Sequence, residues 1–250
     1  MTVLLFIPCL VDQFFPSVGI NLCKILQKAG VSVDYPREQT CCGQPAFNSG
    51  YHDEATQLAR RFLEVFGDAE TIVSPSGSCT SMVKIFYPEI LRDPGLRDAL
   101  QEVTSRTYEF SDFLVNVMGI KDLGVTFPHR VTYHDACHLQ HAQRITEQPR
   151  RVLRTIPQLK IREIPERETC CGSAGLYNLM EPNTAKELAD RKLKNILTTE
   201  SDALVSGNPG CLLQITSSLK GTGRSMPVFH LVELLDASIA GKTDLGFFSD

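Results

Sequence analysis

With 250 residues, a net charge of −4, and 42% hydrophobic against 22% charged residues, the chain has room for one large or two small domains and the balance of a globular rather than a disordered protein. No block of like charges stands out, which speaks against nucleic acid or an anionic membrane surface as a main partner. No stretch approaches the roughly 20 apolar residues that a membrane helix needs, so no membrane-spanning segment is expected.

The first apolar run, residues 3–7, reads as a buried strand. It is too short for a signal peptide and lacks a basic leader and a cleavage site, so the expected compartment is the reducing cytoplasm, peripheral to a membrane only through partners. Cys9 follows it. Val18, Leu22, Ile25, Leu26 and Ala29 then recur at helical spacing, with Ser17 placed to cap the helix and Gly30 to end it. Cys23 on that helix reads as a buried small hydrophobe. Residues 31–35 form a second expected strand and lead to Cys41-Cys42-Gly43. Ala55, Leu58, Ala59, Phe62 and Phe66 mark a second helix, ended by Gly67, with His52 read as surface. A third strand at 71–73 runs into Ser76-Gly77-Ser78-Cys79, where a helix is expected to open. Glu109-Phe110-Ser111-Asp112-Phe113-Leu114 closes this half, and Gly124 and Pro128 punctuate the chain at the expected boundary.

The second half follows the same order. A strand at 131–133 precedes His134-Asp135-Ala136-Cys137-His138, and one at 161–164 precedes Cys170-Cys171-Gly172. Ala185, Leu188, Ala189, Leu193, Ile196 and Leu197 mark a helix, and a strand at 203–205 leads to Asn208-Pro209-Gly210-Cys211. Gly221-Thr222-Gly223-Arg224 reads as a turn, because it follows no strand and opens no phosphate-binding helix. His230-Leu231-Val232-Glu233-Leu234-Leu235 closes the half. His129 reads as surface, whereas His134, His138 and His141 are possible ligands or proton relays beside Cys137.

The cysteines thus repeat. Gaps of 31 and 36 residues separate Cys9, the pair and Cys79, and gaps of 32 and 39 separate Cys137, the pair and Cys211. Two pseudo-symmetric α/β repeats are expected, 1–125 and 126–250, each a small parallel sheet with flanking helices and its cysteines at the carboxyl ends of the strands. Nine cysteines in a reducing compartment call for metal or redox chemistry rather than disulfides. Four converging thiolates suit an iron–sulfur cluster or a closed zinc site. Adjacent cysteines point apart and reach two irons of a cluster more easily than one ion, which favours the cluster. Zinc and free-thiol chemistry remain as alternatives. Helix openings at Cys79 and Cys211 would place N–H groups near sulfur.

These motifs resemble the cysteine-rich CCG domain shared by the cysteine-rich component of heterodisulfide reductase, the iron–sulfur subunit of glycolate oxidase and the lactate-utilisation iron–sulfur proteins. Cys41-Cys42-Gly43-Gln44-Pro45-Ala46-Phe47-Asn48-Ser49-Gly50-Tyr51 and Ser74-Pro75-Ser76-Gly77-Ser78-Cys79 are similar to the lactate-utilisation protein. Cys170-Cys171-Gly172-Ser173-Ala174-Gly175 and Gly207-Asn208-Pro209-Gly210-Cys211 are closer to the glycolate oxidase subunit. The resemblance implies an electron-transfer component of lactate or glycolate oxidation, a non-catalytic or co-catalytic subunit of an oxidoreductase complex. Its cofactor would be a four-iron (4Fe-4S) cluster in each repeat, held by Cys9, Cys41, Cys42 and Cys79 and by Cys137, Cys170, Cys171 and Cys211. Partners would be a flavoprotein and ferredoxin-type iron–sulfur subunits. Heterodisulfide reductase repeats end in Cys-x-x-Cys, but Ser76 and Asn208 stand at the first of those positions here. A five-cysteine cluster is therefore not expected. Some relatives are thought to hold zinc in one repeat, so a zinc-stabilised interaction module is the alternative.

Overall fold

The computed structural model describes residues 1–120, 126–173 and 175–245. Gly124 and Ala174, named above, lie outside the described residues. The chain divides into two compact units, Met1–Phe113 and Leu114–Asp250.

In the first unit the strands are β1 (Thr2–Leu5), β2 (Ser32–Asp34), β3 (Ile72–Ser74) and β4 (Thr107–Glu109). They form one all-parallel sheet in the order β2-β1-β3-β4. In the second unit β5 (Arg130–His134), β6 (Lys160–Arg162), β7 (Ala203–Ser206) and β8 (Val228–His230) repeat that order as β6-β5-β7-β8. The registers repeat too. Val3 pairs with Val33 and Leu4 with Ile72, as Val131 pairs with Ile161 and Thr132 with Leu204. Parallel strands need crossovers, and helices supply them in both units.

Three strands per unit were legible from β-branched runs, and the fourth was not. β4 and β8 are three residues long and end on the N-cap of the next helix. Glu109 accepts N–H bonds from Ser111 and Asp112, and His230 accepts one from Val232. The closing segments are therefore strand-to-helix junctions. The first predicted helix spans Pro16–Lys28, with proline in its first turn and no side-chain cap, and Ala29 is exposed rather than part of its apolar face. The other two predicted helices are His52–Phe66 and Pro182–Leu197.

The cores differ in character. In the first unit Phe6 meets Phe62 edge-on at 5.0 Å and Phe66 at 5.7 Å, with Tyr87 against Phe62 at 5.6 Å. Each such ring, fully buried, contributes on the order of 1.5–3 kcal/mol. In the second unit, Leu193, Ile196, Leu204, Ile215 and Leu219 pack without any aromatic ring in the cluster. It holds instead an ion network, in which buried Arg150 forks onto buried Asp135 at 2.8 and 2.7 Å and onto the exposed Glu163 at 2.8 and 2.7 Å.

Candidate metal centres

All eight repeat cysteines lie past the carboxyl ends of strands. Cys9 begins the helix Cys9–Phe14 after β1. Cys41 and Cys42 sit in the loop between β2 and the helix Gln44–Asn48, and Cys79 lies in Gly77–Ser81 after β3. Cys137, the pair Cys170 and Cys171, and Cys211 occupy the matching places after β5, β6 and β7, Cys211 in the helix Pro209–Gly221.

The parallel sheet turns this placement into convergence. Cys9 Sγ lies 3.6 Å from Cys41 Sγ. Cys41 and Cys42 in turn shift each other's titration, and Cys79 shifts that of Cys42. In the second unit the same chain links Cys137, Cys170, Cys171 and Cys211. Each set is sealed at one end. Cys42 and Cys79 are buried while Cys9 is exposed, and Cys171 and Cys211 are buried while Cys137 and Cys170 are half-buried. Cys23 is half-buried too, not fully buried as expected, and belongs to neither set.

Each glycine after the pair has a structural reason. Gly43 and Gly172 take φ of +82° and +84°, a region costly for residues with a Cβ. That conformation turns the backbone so that the N–H of Gly43 meets Cys41 Sγ at 3.4 Å and that of Gly172 meets Cys170 Sγ at 3.3 Å. These donors, together with N–H groups of Leu10 and His138 near Cys9 and Cys137, favour thiolate. Sequence reasoning looked for such donors at the later helix openings and missed them in the Cys-Cys-Gly turn itself.

The electrostatics prepare thiolates within each set. Cys41 is pushed down to about 3, chiefly because Cys42 and then Cys9 donate to it. Cys170 is pushed down to about 2, chiefly by Cys137 and then Cys171. Their neighbours move the other way: the bond each makes to that shared thiolate raises Cys9, Cys42, Cys137 and Cys171, and burial adds to it. Cys211 lies well below the usual thiol range because Cys171 donates to it, with His134 and Asn208 helping against burial. Asn208 Nδ2 reaches Cys211 Sγ at 3.2 Å. A site that stabilises some thiolates before anything binds is suited to a cationic, thiophilic occupant.

Of the three histidines near Cys137, two come to sulfur. A ring nitrogen of His134, Cys171 Sγ and Cys211 Sγ all lie within 4.8 Å of one another. His138 Nδ1 lies 3.9 Å from Cys137 Sγ, and burial lowers its pKa. His141 and His52 are exposed. His129 is half-buried, its Nε2 2.6 Å from the Thr243 carbonyl. The residues fit a metal or cluster: eight soft sulfur donors in two groups, and a buried imidazole with neither nitrogen hydrogen-bonded to nitrogen or oxygen. Sequence reasoning missed Lys192, 0% exposed beneath the second set. Its signal was its phase, since it stands on the apolar stripe of Ala185, Ala189 and Ile196.

A family described as cysteine-rich domain, CCG, matches the chain twice, at residues 3–84 and 131–216. The chain is 38% identical over 237 residues to lactate utilization protein A of Halalkalibacterium halodurans, covering 94% of this chain and 97% of that one. It is 37% identical over 242 residues to lactate utilization protein A of Oceanobacillus iheyensis, covering 96% and 99%. Among solved structures, a hypothetical protein from Helicobacter pylori shares the fold with a TM-score of 0.71 at 13% identity. That match covers 99% of this chain, which spans 51% of the other.

Proposed function

This chain belongs to the CCG cysteine-rich-domain family, among the relatives of lactate utilization protein A, and on that premise we propose that it serves lactate utilisation by holding two iron–sulfur clusters and passing electrons in the oxidation of the 2-hydroxy acid. The observation that carries the reading is the meeting of four sulfurs from three successive strand ends, once in each unit. Cys9, Cys41, Cys42 and Cys79 would hold one 4Fe-4S cluster, and Cys137, Cys170, Cys171 and Cys211 the other. Such a cluster supplies one-electron chemistry when bound. The chain's own part is to present four thiolates, to direct the Gly43 and Gly172 N–H groups at sulfur, and to seal the inner sulfurs from water.

Oxidising a hydroxy acid removes a hydride equivalent, and a flavin commonly converts that to single electrons. The chain carries no recognisable flavin or nicotinamide motif. The proposed partners are therefore a flavoprotein or ferredoxin-type iron–sulfur subunits, docking near the cysteine-bearing strand ends. No helix among the described residues is long and apolar enough to cross a membrane.

One observation favours a second reading. His134, Cys171 and Cys211 form a mixed nitrogen and sulfur group of the kind that holds a single zinc ion. The chain would then be a zinc-stabilised scaffold that moves no electrons. Anaerobic purification separates the two. Broad visible absorbance bleached by dithionite, with iron lost from one set in Cys42→Ser and from the other in Cys171→Ser, supports clusters. A colourless protein with stoichiometric zinc refutes them. The cluster-loaded chain alone should not oxidise lactate or glycolate with an artificial acceptor, and robust turnover would reveal a complete active site in the chain.

A further inference from the structure

The two cysteine sets rest on different floors. Strand registers align β1 with β5, so Phe6 and Ile7 of the first unit fall where the second carries His134 and Asp135. The two Cys-Cys-Gly glycines face Ala55 and Ala185 of the following helices, which aligns Phe62 with Lys192. Beneath the first set the floor is thus a pair of buried phenyl rings, Phe6 and Phe62, in contact at 5.0 Å. Beneath the second it is a buried imidazole and a buried ammonium.

Both polar groups point to an occupant. His134 is 1% exposed, and its ring nitrogens make no hydrogen bond to nitrogen or oxygen. What it faces is Cys171 and Cys211, and it favours the Cys211 thiolate, so a sulfur-bound occupant would meet this imidazole. Lys192 is 0% exposed, and its Nζ donates to the Arg167 carbonyl at 2.9 Å. Burial, the largest influence, lowers its pKa, while Asp135 and then Cys171, Cys211 and Cys170 favour its charged form, and Asp135 is already held by the Arg150 fork.

We infer that the second cysteine set is the more easily reduced of the two centres, because His134 gives its occupant an N–H and Lys192 a buried positive charge where Phe6 and Phe62 give the first set neither. This rests on the cluster reading above. One electron makes an anionic cluster more negative. Hydrogen bonds to sulfur and nearby positive charge stabilise that reduced form more than the oxidised one. Cys9 is exposed and Cys137 half-buried, a difference that works in the opposite direction. Substitutions on the floor isolate its effect, because they leave that difference in place.

The test is a dithionite redox titration of the anaerobic full-length chain followed by electron paramagnetic resonance. Cys42→Ser leaves the second centre to be measured and Cys171→Ser leaves the first. The second should have the higher potential. In the Cys42→Ser background, His134→Phe and Lys192→Met should each lower it by at least tenfold in the reduction equilibrium, about 59 mV for one electron. His134→Gln, which keeps an N–H donor, should hold it near the parent value. Circular dichroism reports folding; should a floor variant not fold, the order of the two parent potentials still decides. Equal or reversed potentials, or a second centre unmoved by both variants, overturn the inference and leave the cluster reading intact. A chain that takes up no cluster overturns both.

Discussion

Substituting alanine for the glycine after each cysteine pair should cost very different amounts in the two units. The backbone penalty is common to both, since φ is +82° at Gly43 and +84° at Gly172, and a Cβ in the left-handed region costs about 1–2 kcal/mol. The surroundings differ. A Cβ at position 43 would lie 3.3 Å from Leu58 Cδ1, the free end of a flexible side chain that can move aside. At position 172 it would lie 2.3 Å from the Ala185 carbonyl oxygen, which is backbone in the helix Pro182–Leu197. Relieving that overlap means shifting the helix or the turn, at a further cost of about 1–3 kcal/mol. Gly43→Ala is therefore expected to cost about 1–2 kcal/mol and Gly172→Ala about 2–5. Hydrogen exchange read by mass spectrometry on the metal-free chain suits the question, because peptides from each unit report that unit's opening free energy separately. The Gly172→Ala loss should be confined to the second unit. Equal costs, or a larger cost at Gly43, would show that the Cys-Cys-Gly turn does not pack on Ala185 as described.

Three further outcomes are expected. Burial raises Glu109 from 4.5 to about 7, with Ser111 and the Asp112 N–H pulling it back, so between those values the folded state holds more protons than the unfolded. Stability should then fall by roughly 3 kcal/mol as pH rises through that window; Glu109→Gln, which keeps a capping oxygen, should flatten this in urea titrations, and parallel curves would refute the assignment. Arg150→Met strands the Asp135 carboxylate, 4% exposed, without its guanidinium, and should destabilise the second unit by about 3–5 kcal/mol; a loss below about 1 kcal/mol would show that solvent or Lys192 compensates the Asp135 charge. Cys23→Ala should leave the metal content unchanged and cost less than about 1 kcal/mol, given a half-buried thiol outside both sets; loss of metal would place Cys23 in a centre.

The duplicated fold was legible because its signals are local. β-branched runs give β1, β3, β5 and β7, the stripe of Ala55, Ala59, Phe62 and Phe66 gives a helix, and the cysteine spacing gives the repeat. What stayed hidden depends on partners far apart in sequence. β4 has three residues and reads as strand only beside β3. Arg150 looks like one more charge on a basic helix until Asp135 and Glu163 fold against it. Lys192 and His134 look ordinary until register places them under sulfur. The departure of His134 from Phe6 lies at the same offset that relates Cys9 to Cys137, whereas that of Lys192 from Phe62 emerges only when the helices are aligned on the glycine contacts with Ala55 and Ala185.

The first set of cysteines is complete by Cys79, and the last strand of its sheet ends at Glu109. A nascent chain that has cleared the ribosome to that point holds every ligand and every strand of one centre, while every sulfur of the other, from Cys137 to Cys211, has still to emerge. Domains made first generally fold first. Duplication thus places two centres in an order of manufacture, with no thiol of the later set yet available to capture a cofactor meant for the earlier one until its own unit is being made.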